Sequence, residues 1–189
     1  GQGTANRRVF FHNAMLEFLW VRAVAETLTP TIAPLQLAAR ANHRQTGFSP
    51  FGMGLRYAPN APAIAALPFA TWAYRPPYWP PHLQFEVAHT HPHEPLIFVM
   101  PFRETRPDTL PPAKRQPLDH PSGRREITAV RLTVPAAGEP RSPALQALAA
   151  LGIVTFATGA DHCAELTFDH HRRGQRTDFR PGLSLIFLD

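Results

Sequence analysis

The sequence predicts an α+β protein in which strands outnumber helices, and three observations support this fold class. Short apolar or alternating runs bounded by Pro and Gly recur along the whole chain, as is typical of strands. Of the 22 prolines, 13 lie in residues 59–81 and 101–121, where they exclude long helices. The last third has the pattern strand, helix, strand, strand, strand, and the first two dozen residues resemble the last two strands of the same unit.

Residues 1–58 are expected to form a β-hairpin, a broken helical stretch and one further strand. Pro30 and Pro34 interrupt the helical pattern because proline lacks a backbone N–H and cannot continue a helix. Gly47 is the predicted helix stop. The predicted bounds are 8–11 and 15–21 for the hairpin strands, 23–45 for the helical stretch and 51–57 for the last strand.

Residues 59–121 are predicted to be a Pro-rich β segment, and residues 122–189 a unit of strand, helix and three strands. The helix of this unit is SPALQALAALG, with Ser142 as its cap, Pro143 as its first residue and Gly152 as its stop. All three segments are expected to pack as one compact domain. The strand patterns are FATWAY, LQFEVAH and PLIFVMPF in the middle segment, and EITAVRLTV, VTFAT, HCAELTFD and LSLIFL in the last.

Composition and charge exclude several classes of protein. The net charge of +5 is carried almost entirely by arginine, with Lys114 as the single lysine. The arginine pairs at 7–8, 124–125 and 172–173 are far apart in sequence, so we expect no basic patch and no nucleic-acid partner. Cys163 is the sole cysteine, which excludes an internal disulfide and predicts a half-buried structural thiol. No membrane span or secretory signal is visible, so the cytoplasm is the expected compartment.

A glutamate in the middle of an apolar strand recurs near both ends of the chain. Glu17 lies in AMLEFLWV, where neither strand face looks solvated, and Glu165 lies in HCAELTFD. Burying an ionised carboxylate without a partner is costly, so Glu17 should be paired, protonated, metal-bound or nearer the surface than the pattern indicates.

These strands carry a resemblance to a known family. GTAN at residues 3–6, the strand AMLEFLWV and the closing AELTFDHHRRGQRTDFRPGLSLIF resemble the glyoxalase-like domain family of the vicinal oxygen chelate superfamily. The resemblance implies βαβββ units that form curved, mostly antiparallel sheets. It also implies a lyase, isomerase or dioxygenase that acts on a small oxygen-rich molecule through one divalent metal such as Fe, Zn, Ni or Mn.

The sequence departs from that family in two ways. Nothing before Gly1 matches the family's first strand and helix, so we expect an open sheet edge, covered either by a second copy of the chain or by the middle strands. The strand ITAVRLTV carries Arg131 where a histidine ligand is usual. Two alternatives to the enzyme therefore stay open. One is a metal-free protein that binds or sequesters an apolar or acidic small molecule, and the other is a structural or interaction remnant of the fold.

Glu17 is the first candidate metal ligand, with Glu165, His89 and His91 as further candidates. His89 and His91 share a face if the strand LQFEVAH continues, but an equally simple interpretation is a solvated histidine-rich loop. The alternative for each glutamate is an ion pair with a nearby arginine, for which Arg8, Arg56 and Arg131 are the candidates.

Two more segments are candidates for ligand binding. In FATWAYRPPYWPPH, Trp72 and Tyr74 could form the wall of an apolar pocket and Arg75 could bind a substrate carboxylate, although packing of these aromatic rings onto a sheet explains them equally well. In DFRP, Asp178 could orient Arg180 as a bidentate pair, either as a local structural lock or as an anion-binding group.

Overall fold

The computed structural model describes residues 2–59, 66–103, 105–135 and 141–189 and confirms the α+β class. The strands of these residues are β1 (Thr4–Phe10), β2 (Met15–Val21), β3 (Gly52–Tyr57), β4 (Thr71–Tyr74), β5 (Phe85–Ala88), β6 (Leu96–Arg103), β7 (Ile127–Pro135), β8 (Thr155–Gly159), β9 (Cys163–Phe168), β10 (Arg176–Asp178) and β11 (Leu185–Leu188). The α-helices are α1 (Val24–Thr27), α2 (Leu37–Ala41), α3 (His43–Thr46) and α4 (Pro143–Ala150). Single 3-10 turns lie at Ala33–Leu35, Pro107–Thr109, Pro112–Lys114 and Asp169–His171.

The chain divides into two compact units that interleave along the sequence, whereas the predicted segments follow one another. Strands β1 and β2 form a two-stranded sheet, and this hairpin and helix α4 each contribute residues to both units. Unit 1 comprises the described residues of Gly1–Asn6, Leu19–Glu104 and Gly138–Ala147, and unit 2 those of Arg7–Phe18, Thr105–Ala137 and Leu148–Asp189.

Unit 1 contains a four-stranded sheet in the order β3-β6-β5-β4. β3 is parallel to β6, and β5 is antiparallel to both of its neighbours. The helical stretch before the sheet is broken as predicted, and it ends at Gly47, whose φ of 73° is a left-handed conformation that favours glycine. Apolar side chains of this stretch and of the sheet share one core, whose buried members are Ile32, Leu35, Leu37, Tyr74 and Val87.

A buried polar cluster connects distant parts of unit 1. The Glu94 carboxylate is almost fully buried, and it accepts hydrogen bonds from the backbone N–H groups of His91 (3.0 Å) and Ser142 (2.9 Å). Arg40 donates from Nη1 to the backbone carbonyls of Ser49 (3.0 Å) and Glu94 (2.9 Å). Burial lowers the pKa of Arg40 to about 10. The His91 contact is local, but the bonds to Ser142 and from Arg40 join different loops and helices, so the cluster fixes the positions of those segments.

Helix α4 begins as the sequence predicts. The Ser142 hydroxyl oxygen accepts the backbone N–H of Leu145 at 3.4 Å, and Pro143 is the first helical residue. Gly152, with a φ of 69°, follows the helix end. None of the described helices is long and apolar enough to cross a membrane.

Unit 2 contains a five-stranded mixed sheet in the order β10-β11-β9-β7-β8. β7 is parallel to β8 and β9 is parallel to β11, whereas the pairs β7–β9 and β10–β11 are antiparallel. Leu132, Ala164 and Leu166 are buried on one face of this sheet. Because side chains alternate along a strand, Arg131, Thr133, Cys163 and Glu165 point to the opposite face.

Candidate functional site

The candidate site is a depression of about 320 Å³ on the second face of the unit 2 sheet. Its floor comes from alternate residues of three adjacent strands. The register places Arg131 opposite Glu165 and Glu165 opposite Ile186, while Thr133 lies opposite Cys163. The remaining lining residues are Gly159, Ala160, Asp161, Arg176 and Arg180.

One wall of the pocket is built by the pair that DFRP predicts. Arg180 binds Asp178 with two guanidinium nitrogens, Nε to Oδ1 at 2.9 Å and Nη2 to Oδ2 at 2.6 Å, and its backbone N–H also donates to Oδ1 at 3.0 Å. Arg176 approaches the same carboxylate at 3.3 Å. The hydrogen bonds from Arg180 hold the pKa of Asp178 well below its usual range. The carboxylate therefore fixes two guanidinium groups at the pocket edge at neutral pH.

Arg131 and Glu165 are the charged side chains on the pocket floor. They are cross-strand neighbours on β7 and β9. Even so, among the residues that the structure describes, neither side chain makes a hydrogen bond or an ion pair. Glu165 is half-buried and Arg131 is exposed. The floor thus offers one hydrogen-bond acceptor group and one donor group to a bound molecule.

Cys163 is the buried thiol of the floor. Burial is the largest cause of its raised pKa, and the opposing influences of nearby arginine and carboxylate groups are smaller. A raised pKa keeps the group as the protonated thiol, which is a poor nucleophile. Cys163 is 8% exposed, so the thiol is more deeply buried than the half-buried thiol that the sequence predicts.

We expect Cys163 to react slowly with iodoacetamide at pH 8 in the folded protein. The raised pKa lowers the thiolate fraction and burial limits access, so the rate should be at least about tenfold below that of the chain in guanidinium chloride. Mass spectrometry should detect one alkyl group per chain after denaturation, because Cys163 is the sole cysteine. Equal alkylation rates in the folded and denatured protein would contradict both the burial of Cys163 and its raised pKa.

Glu17 does not lie in a dry environment. On β2 its side chain is exposed, on the same face as the exposed Met15 and Leu19. The expectation that neither face of this strand is solvated is wrong, because Met15, Glu17 and Leu19 on one face are all exposed, whereas Leu16 and Phe18 on the other are partly covered. The structure therefore places Glu17 nearer the surface than the sequence pattern indicates.

The two candidate histidine ligands lie in unit 1, near the end of β5. His89 is exposed, and the half-buried ring of His91 stacks on that of His93 with centroids 5.5 Å apart. The neighbouring Glu94 already binds two backbone N–H groups. Within the described ranges, the structure contains no group of three or more His, Cys, Asp or Glu side chains that could hold a metal ion.

The candidate substrate residues Trp72, Tyr74 and Arg75 lie on or next to β4. Tyr74 is 4% exposed and belongs to the unit 1 core, against which Trp72 also packs. The Tyr74 hydroxyl bonds Gln2 Oε1 at 3.0 Å, and burial, with a contribution from Tyr78, raises its pKa to about 12. Arg75 is exposed. The rings of Trp72 and Tyr74 therefore pack onto the sheet, which is the alternative to a ligand-binding wall.

Sequence reasoning identified Glu165 and Arg180 but missed Thr133, Asp161 and Arg176 as lining residues. The alternation of side chains in ITAVRLTV places Arg131 and Thr133 on the same face, so Thr133 could have been predicted as a neighbour of Arg131 in the site. The residues opposite them depend on strand register, which the sequence does not give. Comparison of the chain with protein-family models, with curated proteins and with solved structures found no match. The pocket's own chemistry is therefore the basis on which a function can be assigned.

Proposed function

We propose that the chain is a small-molecule binding protein whose unit 2 pocket takes a small acid that also carries hydroxyl or ammonium donors, without requiring a metal. The observation that carries this proposal is that Arg131 and Glu165 lie opposite each other on the pocket floor, while neither side chain has a hydrogen-bond or ion-pair partner among the described residues. A ligand with both an acidic and a donor group would satisfy both side chains at once.

The pocket arginines would bind the acidic group of the ligand. A guanidinium group offers a planar fork of N–H donors that matches a carboxylate. Arg180 and Arg176 are held at the wall by Asp178, so part of their ordering is complete before a ligand arrives. Arg131 adds a further guanidinium from the floor.

The pocket carboxylates would accept hydrogen bonds from the hydroxyl or ammonium groups of the ligand. Glu165 on the floor and Asp161 at the exposed rim balance much of the arginine charge, so a ligand with acidic groups alone would use only part of the lining. A volume of about 320 Å³ is at the lower end of the roughly 300–1,000 Å³ usual for ligand sites. The chemistry favours a compact hydroxy acid or amino acid.

The metal-dependent lyase, isomerase or dioxygenase of the glyoxalase-like type stays a second prediction. The observation that favours it is the presence of one predicted ligand, Glu165, inside a pocket. In that function Glu165 would bind a divalent ion, and the pocket arginines would orient an oxygen-rich substrate. The βαβββ arrangement implied by the resemblance belongs to the same prediction.

We expect isothermal titration to detect tighter binding of L-tartrate than of succinate, which has the same charge and chain length but no hydroxyl groups. Loss of one charge-assisted hydrogen bond corresponds to roughly tenfold in affinity. Glu165→Ala should therefore remove most of the preference for tartrate. Arg131→Gln should weaken both acids by a similar factor. Arg56→Gln, at an exposed position on β3, is the matched control and should change neither affinity.

Two outcomes would count against the proposal. Undetectable binding of both acids at millimolar concentration would contradict an acid-binding pocket. Elemental analysis of untagged protein, prepared without added metal, gives the second test. A stoichiometric metal that is lost in Glu165→Ala and is required for tartrate binding would support the metal-dependent protein instead.

A further inference from the structure

Unit 2 has a second depression, of about 220 Å³, where arginines distant in sequence meet. Arg125, Arg172 and Arg173 line it, together with Gly123, Asp169 and Asp189. The expectation that the arginine pairs 124–125 and 172–173 form no basic patch is therefore wrong. Their convergence depends on the path of the chain after β9 and before β7.

A left-handed turn after β9 brings the two arginine pairs together. Asp169, His170 and His171 have φ values of 48°, 61° and 56°. The Asp169 carboxylate accepts the backbone N–H groups of Arg125 (3.1 Å) and Glu126 (3.0 Å), which attaches the turn to the segment before β7. The Asp169 carboxylate thus holds the backbone of Arg125 near the turn that carries Arg172.

Arg173 is held in place on the other side of the depression. Its guanidinium donates to the backbone carbonyls of Ser122 and Gly123, and its backbone N–H donates to the carbonyl of Asp189 at 3.1 Å. A Cβ atom on Gly123 would overlap the Arg173 guanidinium, so the absence of a side chain at this position allows the close approach.

The carboxylates of the depression are already bound to other groups. Asp169 binds backbone N–H groups, and Asp189 forms a bidentate pair with Arg124, Nε to Oδ1 at 2.5 Å and Nη2 to Oδ2 at 2.6 Å. Among the described residues, the side chains of Arg125 and Arg172 have no hydrogen-bond or ion-pair partner. With Arg124 included, the side chains of this site carry four positive and two negative charges.

We propose that this depression is a binding site for a phosphate dianion, either inorganic phosphate or the phosphate group of a small ester. The excess of two positive side-chain charges matches a group that carries about −1.5 to −2 at pH 7. Guanidinium groups on several sides can each donate to a different phosphate oxygen. A nucleic acid would instead need arginines spread along a track longer than one depression of this size.

Titration of the full chain with inorganic phosphate in chloride buffer of fixed ionic strength, followed by calorimetry or phosphorus NMR, tests the site. We expect saturable binding that Arg125→Gln and Arg172→Gln each weaken about tenfold. Arg56→Gln, with the same loss of charge in unit 1, should leave the affinity unchanged. Methyl phosphate in a parallel titration distinguishes the sources, since tighter binding of the ester favours a phosphorylated small molecule and tighter binding of phosphate favours the free ion.

The proposal is overturned if phosphate binds no more tightly than chloride, or if all three arginine variants weaken binding equally, which would show a general charge effect. It is also overturned if a single-stranded oligonucleotide binds with a steep salt dependence and competes with phosphate only at low salt. Circular dichroism of each variant shows whether the fold is retained, and Arg172→Lys, which keeps the charge, should restore part of the affinity.

Discussion

Replacement of Asp189 by asparagine is expected to lower the free energy of unfolding of unit 2 by about 3–5 kcal/mol. The side chains of Asp189 and Arg124 are 6% and 17% exposed and form a bidentate pair. The Arg124 guanidinium also lies over the rings of Phe168 (5.3 Å) and Phe187 (4.8 Å) in the unit 2 core. Asparagine would leave this charge buried without its carboxylate, and that desolvation is the reason for the large effect.

The sole cysteine gives a readout specific for unit 2. Cys163 is buried in unit 2, so its alkylation at increasing denaturant concentration reports the opening of that unit. Asp119→Asn, at an exposed position, is the matched control and should change stability by less than about 0.5 kcal/mol. A loss below about 1 kcal/mol for Asp189→Asn would show that the pair contributes little beyond its own desolvation.

Replacement of Glu94 by glutamine is expected to destabilise unit 1 by about 3 kcal/mol. Glu94 is 1% exposed, and its two carboxylate oxygens each accept one backbone N–H, from His91 and from Ser142. A glutamine side chain has one oxygen and one NH₂ group, so one of these backbone donors would face another donor. The substitution weakens two charge-assisted hydrogen bonds and leaves a buried N–H unsatisfied.

Tryptophan fluorescence is the matching readout for unit 1. Trp20, Trp72 and Trp79 are all of the chain's tryptophans, and all belong to this unit. Denaturant titration followed by fluorescence should show a lower midpoint for Glu94→Gln. Glu26→Gln, at an exposed position of the same unit, should leave the midpoint within error. Equal midpoints for the two variants would contradict a stabilising role of the Glu94 contacts.

Features that depend on neighbouring residues were predictable from the sequence. The structure contains the predicted hairpin and the predicted strands of the middle and last segments. It also contains the Ser142 cap before Pro143 and the pair of Asp178 with Arg180. Each of them depends on the alternation of side chains along a strand, on the missing N–H of proline, or on hydrogen bonds across a few residues. Local sequence is sufficient for such features because the interacting groups are covalently close.

Features that depend on long-range pairing were not predictable in the same way. The sequence makes His91 a candidate metal ligand, but the tertiary structure buries the neighbouring Glu94 carboxylate against backbone N–H groups, one of them 48 residues away. The apolar pattern around Glu17 predicts burial, but its side chain is exposed to solvent. In both cases the sequence gives the residue type, while the environment is set by which distant segment covers it.

The sequence by itself determined the α+β class, the positions of the described strands other than β10, and the candidates Glu165 and Arg180. Only the tertiary structure decided that Glu165 lies opposite Arg131 and that Arg125 meets Arg172. The physical reason is that strand register sets which residues of β7 and β9 face each other, and a shift of one residue would move Glu165 to the other face of the sheet. The left-handed turn after β9 likewise sets which arginines meet.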